Sequence, residues 1–151
     1  MKKALFLFAA ASALGLASPT LLAHTDEVLD TQKAPNGGQL RMAGAYHYEL
    51  VVAKDSKEAK DNVVVVYVTD HAGTKVPTSG ASGTATILAG KAKATATLAP
   101  DGDNRLKGMA KYQSTPNMKV VVSITFPGKA AEQARFTPLT AAKDGHTDHK
   151  H

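Results

Sequence analysis

Short segments in which apolar and polar residues alternate account for much of the chain between residues 39 and 137. In one of them every second side chain is apolar, at Tyr46, Tyr48, Leu50 and Val52. His47 and Glu49 fall between these positions, so the pattern predicts a β-strand with one face against a core and the other face polar. The segment Val63–Asp70 is apolar and β-branched almost throughout, which predicts a strand that is covered on both faces.

Six further segments have the same strand-like character, so the sequence predicts about eight short strands. Together with the two segments already described, the eight predicted strands are Gln39–Ala43, Ala45–Val52, Val63–Asp70, Thr84–Ala89, Lys93–Leu98, Arg105–Tyr112, Met118–Phe126 and Glu132–Thr137. Turn signals rich in glycine, proline, asparagine and aspartate separate them about every 8 to 12 residues, a spacing typical of a β-sandwich. Because no helical period occurs after residue 23, we predict an all-β protein with a single immunoglobulin-like β-sandwich over residues 35–138.

The beginning of the chain predicts an export signal. Two lysines precede an apolar run, Ala4–Leu16, which is too short to remain in a membrane as a spanning helix. The small residue Ala23 is the predicted cleavage point of a signal peptide that covers residues 1–23, and cleavage after Ala17 is the alternative. We therefore expect a periplasmic protein whose mature chain does not insert into the membrane.

Polar segments flank the predicted sandwich on both sides. Residues 24–34 show neither the helical nor the strand period, which predicts an extended leader. Residues 139–151 are small and polar and contain several histidines, which predicts a disordered His-rich tail.

The composition excludes several classes of function. The chain has no cysteine, which rules out disulfides, thiolate chemistry and iron–sulfur clusters. The formal charge is +5, but the lysines are scattered among acids and aromatic residues make up only 5%, so the basic, aromatic surface of a nucleic-acid-binding protein is missing. Hydrolase, zinc-protease and phosphate-binding motifs are also missing. We predict a protein that is not an enzyme and binds no nucleic acid.

Short motifs recur along the predicted sandwich, mostly at its turns: Pro35-Asn36-Gly37-Gly38, Tyr46 with Glu49-Leu50, Asp70 with Gly73-Thr74-Lys75-Val76-Pro77, Leu98-Ala99-Pro100, Leu106-Lys107-Gly108 and Pro127-Gly128-Lys129. In these motifs the domain resembles a module of periplasmic adaptor subunits in heavy-metal efflux pumps, and of small exported proteins that carry this module alone. The resemblance implies a role in a heavy-metal efflux or resistance system. In the family the first motif often reads Pro-His-Gly-Gly, and this chain has Asn36 in place of that histidine. A metal ligand at this position would therefore be lost. The helical hairpin and lipoyl-like domain of a complete adaptor are also missing, so the resemblance does not extend to bridging two membranes.

The histidines are the main chemical clue, because neutral imidazole is a common ligand of copper, zinc and nickel. Three of them lie at the end of the chain with an aspartate among them: His146, Asp148, His149 and His151. A flexible segment of this kind can wrap several imidazoles around one ion and form a labile metal site. The alternatives are a polar tail without a role and a fragment of a purification tag.

A second candidate metal site begins at His24. If the signal peptide is cleaved after Ala23, the α-amine and the ring of His24 could bind one copper ion together, with His71 or His47 as a further ligand. Such an amino-terminal site resembles those of small periplasmic copper-binding β-sandwich proteins. The alternative is that His24 simply begins the leader.

The remaining candidates have simpler explanations as well. His47 and Glu49 are either half of a metal site or a pair on a solvent-facing surface, and the surface pair is the favoured interpretation. His71 lies in the predicted turn Asp70–Lys75, where a polar residue needs no function. The three methionines after Met1 stand singly in predicted strands, which favours core packing over copper(I) ligation: Met42, Met109 and Met118.

Together these features predict an exported protein that binds or buffers a transition metal, copper first and zinc as the alternative, in a heavy-metal efflux or resistance system. The metal would be labile and would not be needed for folding. The alternative function is a protein-interaction module that binds an efflux-pump or other periplasmic protein and holds no metal of its own.

Overall fold

The computed structural model describes residues 25–140, in which eight antiparallel strands form one sheet. The strands are β1 (Gln39–Ala43), β2 (Tyr46–Val52), β3 (Lys60–Asp70), β4 (Ser82–Ala89), β5 (Ala92–Pro100), β6 (Arg105–Tyr112), β7 (Lys119–Thr125) and β8 (Glu132–Phe136). Their order across the sheet is β1-β2-β3-β6-β5-β4-β7-β8. The predicted all-β class and the number of strands are confirmed. The predicted signal peptide and the tail after Thr140 lie outside the described residues.

Most strand boundaries lie close to the predicted ones, and the largest difference is at the start of β3. The sequence predicts a solvated connection up to Asp61, whereas β3 begins at Lys60. Lys60, Asp61 and Asn62 pair with the last three residues of β6, and Lys60 lies opposite Tyr112. These three polar residues therefore belong to the strand. Strand pairing, rather than the apolar pattern, sets this boundary.

The core lies on the face of the sheet that carries the predicted apolar positions of β2. In β3, Val64, Val66 and Val68 are fully buried in this core. Val63 and Val65 point to the opposite face and are half-buried. We call this opposite face of β1–β3 the outer face. The prediction that β3 is covered on both faces therefore holds completely for one face and partly for the other.

A short helix, α1 (Asp26–Asp30), lies where the sequence predicts an extended leader. The prediction is wrong here because tertiary contacts, and not a repeated period, hold this one turn. Leu29 is 1% exposed, and the Arg41 guanidinium bridges the carboxylates of Asp26 and Asp30, with Arg41 Nη1 2.6 Å from Asp30 Oδ1. No helix within residues 25–140 is long and apolar enough to cross a membrane.

The first and last strands of the sheet lie close together. The Thr137 backbone N–H donates a hydrogen bond of 2.8 Å to the side-chain oxygen of Gln39. The Tyr48 hydroxyl donates to the Glu132 carbonyl at 3.4 Å. The eight-stranded sheet is therefore nearly closed on itself.

A polar network braces the end of the sheet opposite the turn between β1 and β2. The Tyr112 hydroxyl donates to the Val63 carbonyl at 2.6 Å and accepts the Ala53 N–H at 2.9 Å. The Asn62 amide donates to the Ser56 hydroxyl and to the Tyr112 carbonyl. Burial raises the pKa of the Tyr112 phenol, which keeps it neutral and able both to donate and to accept.

We expect Tyr112→Phe to destabilise the protein by about 2 kcal/mol, because it leaves one backbone N–H and one carbonyl without their partner. Urea unfolding should show a lower midpoint and an unchanged slope. Tyr46→Phe is the matched control, since its hydroxyl contacts the exposed Lys129 ammonium at 3.0 Å. Equal stability of the two variants would contradict a structural role for the Tyr112 hydroxyl.

Candidate functional site

Two histidines that the sequence treats as separate candidates lie side by side. The imidazole rings of His47 and His71 have centroids 4.9 Å apart and planes inclined by 26°. They are held at the end of the outer face where β2 begins and β3 ends. This pair is the starting point of the candidate site.

The antiparallel register of β2 and β3 brings the two histidines together. Tyr46 pairs with Asp70 and His47 with Thr69, so His71 follows directly after the paired part of β3. The predicted turn after Asp70 is confirmed. The Asp70 carboxylate accepts hydrogen bonds of 2.9 Å from the backbone N–H groups of Ala72 and Thr74, and Gly73 takes a φ of 82°. The turn thereby fixes the direction in which the His71 ring leaves the backbone.

The half-buried His71 ring makes a hydrogen bond that fixes its tautomer. Its Nε2 atom lies 3.2 Å from the carbonyl oxygen of Gly44, in the turn between β1 and β2. A carbonyl can only accept, so Nε2 carries the proton in this contact, and Nδ1 holds the lone pair of the neutral ring. Histidines that bind metals usually donate their second ring N–H to a carbonyl or carboxylate in this way.

The interpretation of His47 and Glu49 as a solvent-facing pair is wrong. His47 is 7% exposed and Glu49 is 3% exposed. The segment between α1 and β1 crosses the outer face and covers them. The alternation along β2 correctly identifies the face that the two side chains share, but not its burial.

Glu49 holds that crossing segment in place. Its Oε1 atom accepts the Asn36 N–H at 2.7 Å and the Gly38 N–H at 3.0 Å, and its Oε2 atom accepts the Asn36 side-chain amide at 2.9 Å. The carboxylate is therefore occupied by three donors and serves as an anchor. Asn36, the residue at which this chain departs from the resembled family, is one partner of this anchor.

A small cavity of about 250 Å³ lies between the crossing segment and the outer face. Its walls are formed by Gln32, Lys33, Pro35, Asn36, Leu40, His47, Glu49, Tyr67, Thr69, Gly73, Lys75 and Asn104. The volume is below the roughly 300–1,000 Å³ of typical sites for small organic ligands. It suits an ion or a few water molecules better than an organic substrate.

The three methionines have three different environments. Met118 is fully buried, as core packing predicts. Met109 is 52% exposed on β6, so core packing is wrong for this residue. Met42 is half-buried and pairs with His47 across β1 and β2, which places it on the outer face and again contradicts core packing.

Among residues 25–140, no three histidine, aspartate or glutamate side chains converge closely enough to hold a metal ion. The structure thus brings together His47 and His71 but adds no acidic ligand to them. The other candidates lie outside the described residues: His24, His146, Asp148, His149 and His151. One of them immediately precedes Thr25, next to α1, whose Asp26 carboxylate accepts the Met42 N–H at 3.2 Å. The described residues therefore begin close to the end of β1 that carries Met42.

No family model matches the sequence, and neither the curated proteins nor the solved structures include a significant match. Function is therefore inferred from the residues and their geometry.

Proposed function

We propose that this chain is an exported periplasmic protein that binds or buffers a transition metal, copper first and zinc as the alternative, in a heavy-metal efflux or resistance system. The proposal includes a signal peptide over residues 1–23, a β-sandwich arrangement of the sheet and a His-rich tail. The single observation that carries it is the stacked pair of His47 and His71.

Several features of the pair support metal binding. Imidazole is the side chain most often used for copper and zinc. The hydrogen bond from His71 Nε2 to Gly44 orients the ring and leaves Nδ1 with the lone pair. Gly44 lies in the turn between β1 and β2, His47 lies on β2, and His71 lies in the turn after β3. All three are therefore held by the folded sheet. The ligands are thus positioned before a metal arrives.

Two histidines are fewer ligands than a stable copper or zinc site uses, so further donors complete the site. His24 supplies a ring and, after cleavage at Ala23, an α-amine. The tail supplies His146, His149 and His151 with Asp148. The proposed site would hold its metal labile, as a buffering protein requires. Folding would not need the metal, because the described core consists of apolar side chains from all eight strands.

We expect His71→Asn to weaken copper binding by the mature chain at least tenfold, since asparagine keeps a polar side chain but removes the imidazole lone pair. Deleting residues 145–151 should weaken binding further and leave thermal stability unchanged without metal. Copper and zinc titrations of the wild type, each variant and the double variant measure both effects. Asn117→Ala, in an exposed turn, is the control.

Unchanged copper affinity in the double variant would contradict the proposal. The histidines would then be incidental, and the protein-interaction module would become the better hypothesis. Loss of binding only in the tail deletion would place the site in the tail and remove His47 and His71 from it.

A further inference from the structure

We infer that Met42 supplies a third ligand to the site and that the resulting set of two imidazoles and one thioether selects copper(I). This inference rests on the proposed function, because it assigns the metal at the site that His47 and His71 define. It is carried by the pairing of β1 with β2, which places a methionine directly beside His47.

The register of the hairpin shows how close Met42 and His47 are. Ala43 and Tyr46 close the two-residue turn, and Met42 pairs with His47 one step further along. The Met42 N–H points away from β2 and donates to Asp26 Oδ1 at 3.2 Å. Met42 and His47 therefore form a non-hydrogen-bonded pair, in which the Cα atoms are only about 4.5 Å apart and the side chains of the shared face are closest.

The same turn also connects Met42 to His71. The carbonyl that accepts the His71 Nε2 proton belongs to Gly44, two residues after Met42. A thioether on a chain of three rotatable bonds can turn toward the space beside the two rings. The three donors thus lie around one end of the β1–β2 hairpin: Met42 and His47 belong to the hairpin itself, and His71 comes from the turn after β3.

Packing alone does not require methionine at position 42. Met42 is half-buried on the outer face, whereas Met118 fills the core. Leucine has a similar volume and would cover the same surface. The thioether sulfur is the one property of Met42 that a metal would use and that leucine lacks.

The chemistry of the donor set indicates which metal it prefers. Soft thioether and imidazole ligands suit copper(I), while zinc favours thiolates, imidazoles and carboxylates. The carboxylate nearest to His47 along β2, that of Glu49, already accepts three hydrogen bonds. The described part of the site therefore offers copper(I) a soft ligand and offers zinc no additional hard one.

The decisive variant is Met42→Leu, with Met109→Leu as the matched control because Met109 is exposed on β6. Copper(I) affinity is measured without oxygen by competition with a chromophoric copper(I) chelator, and zinc affinity by titration of the same proteins. We expect Met42→Leu to weaken copper(I) binding at least tenfold and to leave zinc binding unchanged, whereas the control should match the wild type. Equal melting temperatures without metal would show that both variants are folded.

X-ray absorption at the copper edge gives a second, independent measurement. The chain has no cysteine, so sulfur scattering from bound copper must come from a methionine. We expect such scattering in the wild type and its loss in Met42→Leu. Copper(I) binding without sulfur scattering, and with equal affinity in Met42→Leu, would overturn the role of Met42 but leave the proposed function intact. Copper(I) binding that is indifferent to both His71→Asn and Met42→Leu would overturn this inference and place any metal site outside the described residues. A wild-type protein that binds neither copper nor zinc would overturn both the inference and the proposed function.

Discussion

Gly108→Ala is expected to destabilise the protein by about 3 kcal/mol or more. A Cβ atom at Gly108 would overlap the carbonyl oxygen of Thr97. The obstacle is the backbone of β5, which cannot move aside as the tip of a side chain can. Gly108 lies where the paired region of β5 and β6 ends, next to the pair Ala99 and Lys107. The missing side chain is what allows the two strands to approach there.

Thermal unfolding should show the effect as a fall in midpoint of roughly 10–15 °C. Met109→Ala is the control, because its side chain is the next one along β6 and is exposed. Crystal or NMR data on the variant should show β5 displaced from β6. A stability within the range of the control would mean that β5 shifts at little cost, and would contradict a strict requirement for glycine.

Glu49→Ala is expected to cost about 3 kcal/mol and to release the segment between α1 and β1 from the outer face. The substitution removes, at a partly buried place, the acceptor of the Asn36 side-chain amide and of the N–H groups of Asn36 and Gly38. It also opens the cover over His47. Glu49→Gln should cost less, because one oxygen remains to accept the two backbone donors.

Hydrogen exchange distinguishes local release from general destabilisation. The amides of Asn36 and Gly38 should lose protection in Glu49→Ala, while the amides of β3 and β6 exchange as in the control Glu58→Ala at an exposed position. Retained protection at Asn36 and Gly38 would show that the segment is held by other contacts. Uniform loss across the sheet would show that Glu49 supports the whole fold and not this segment alone.

The sequence predicts the strands well because each strand carries its own signal. The alternation in β2 and the apolar run in β3 are local patterns, and turn residues mark where they end. Helix α1 gives no such signal, since five residues are too few to show a period. Its stability depends on the burial of Leu29 and on ion pairs with Arg41, which lies outside the helix in β1.

The candidate site was less predictable because it is produced by pairing between strands. Alternation places His47 and Glu49 on one face, but only the folded chain shows that another segment covers them. Met42 and His71 become neighbours of His47 through the registers of β1 with β2 and of β2 with β3. The tight turn at Gly44-Ala45 was a local clue to the first of these pairs. The closeness of His47 and His71 depends on the register of β2 with β3, and the sequence of the loop between these two strands does not reveal that register.

The closeness of β1 and β8 has a consequence for when the chain can fold. β3 pairs with β6, and β4 with β7, although two other strands separate each pair in the sequence. The edge strands β1 and β8 can meet only after β8 has been synthesised. All-β proteins dominated by such distant contacts fold in about milliseconds to seconds, slowly compared with helical bundles. A growing chain on the ribosome therefore lacks a complete native sheet until β8 has been synthesised. For the exported protein proposed above, this delay keeps the polypeptide in a form that a translocation channel can thread.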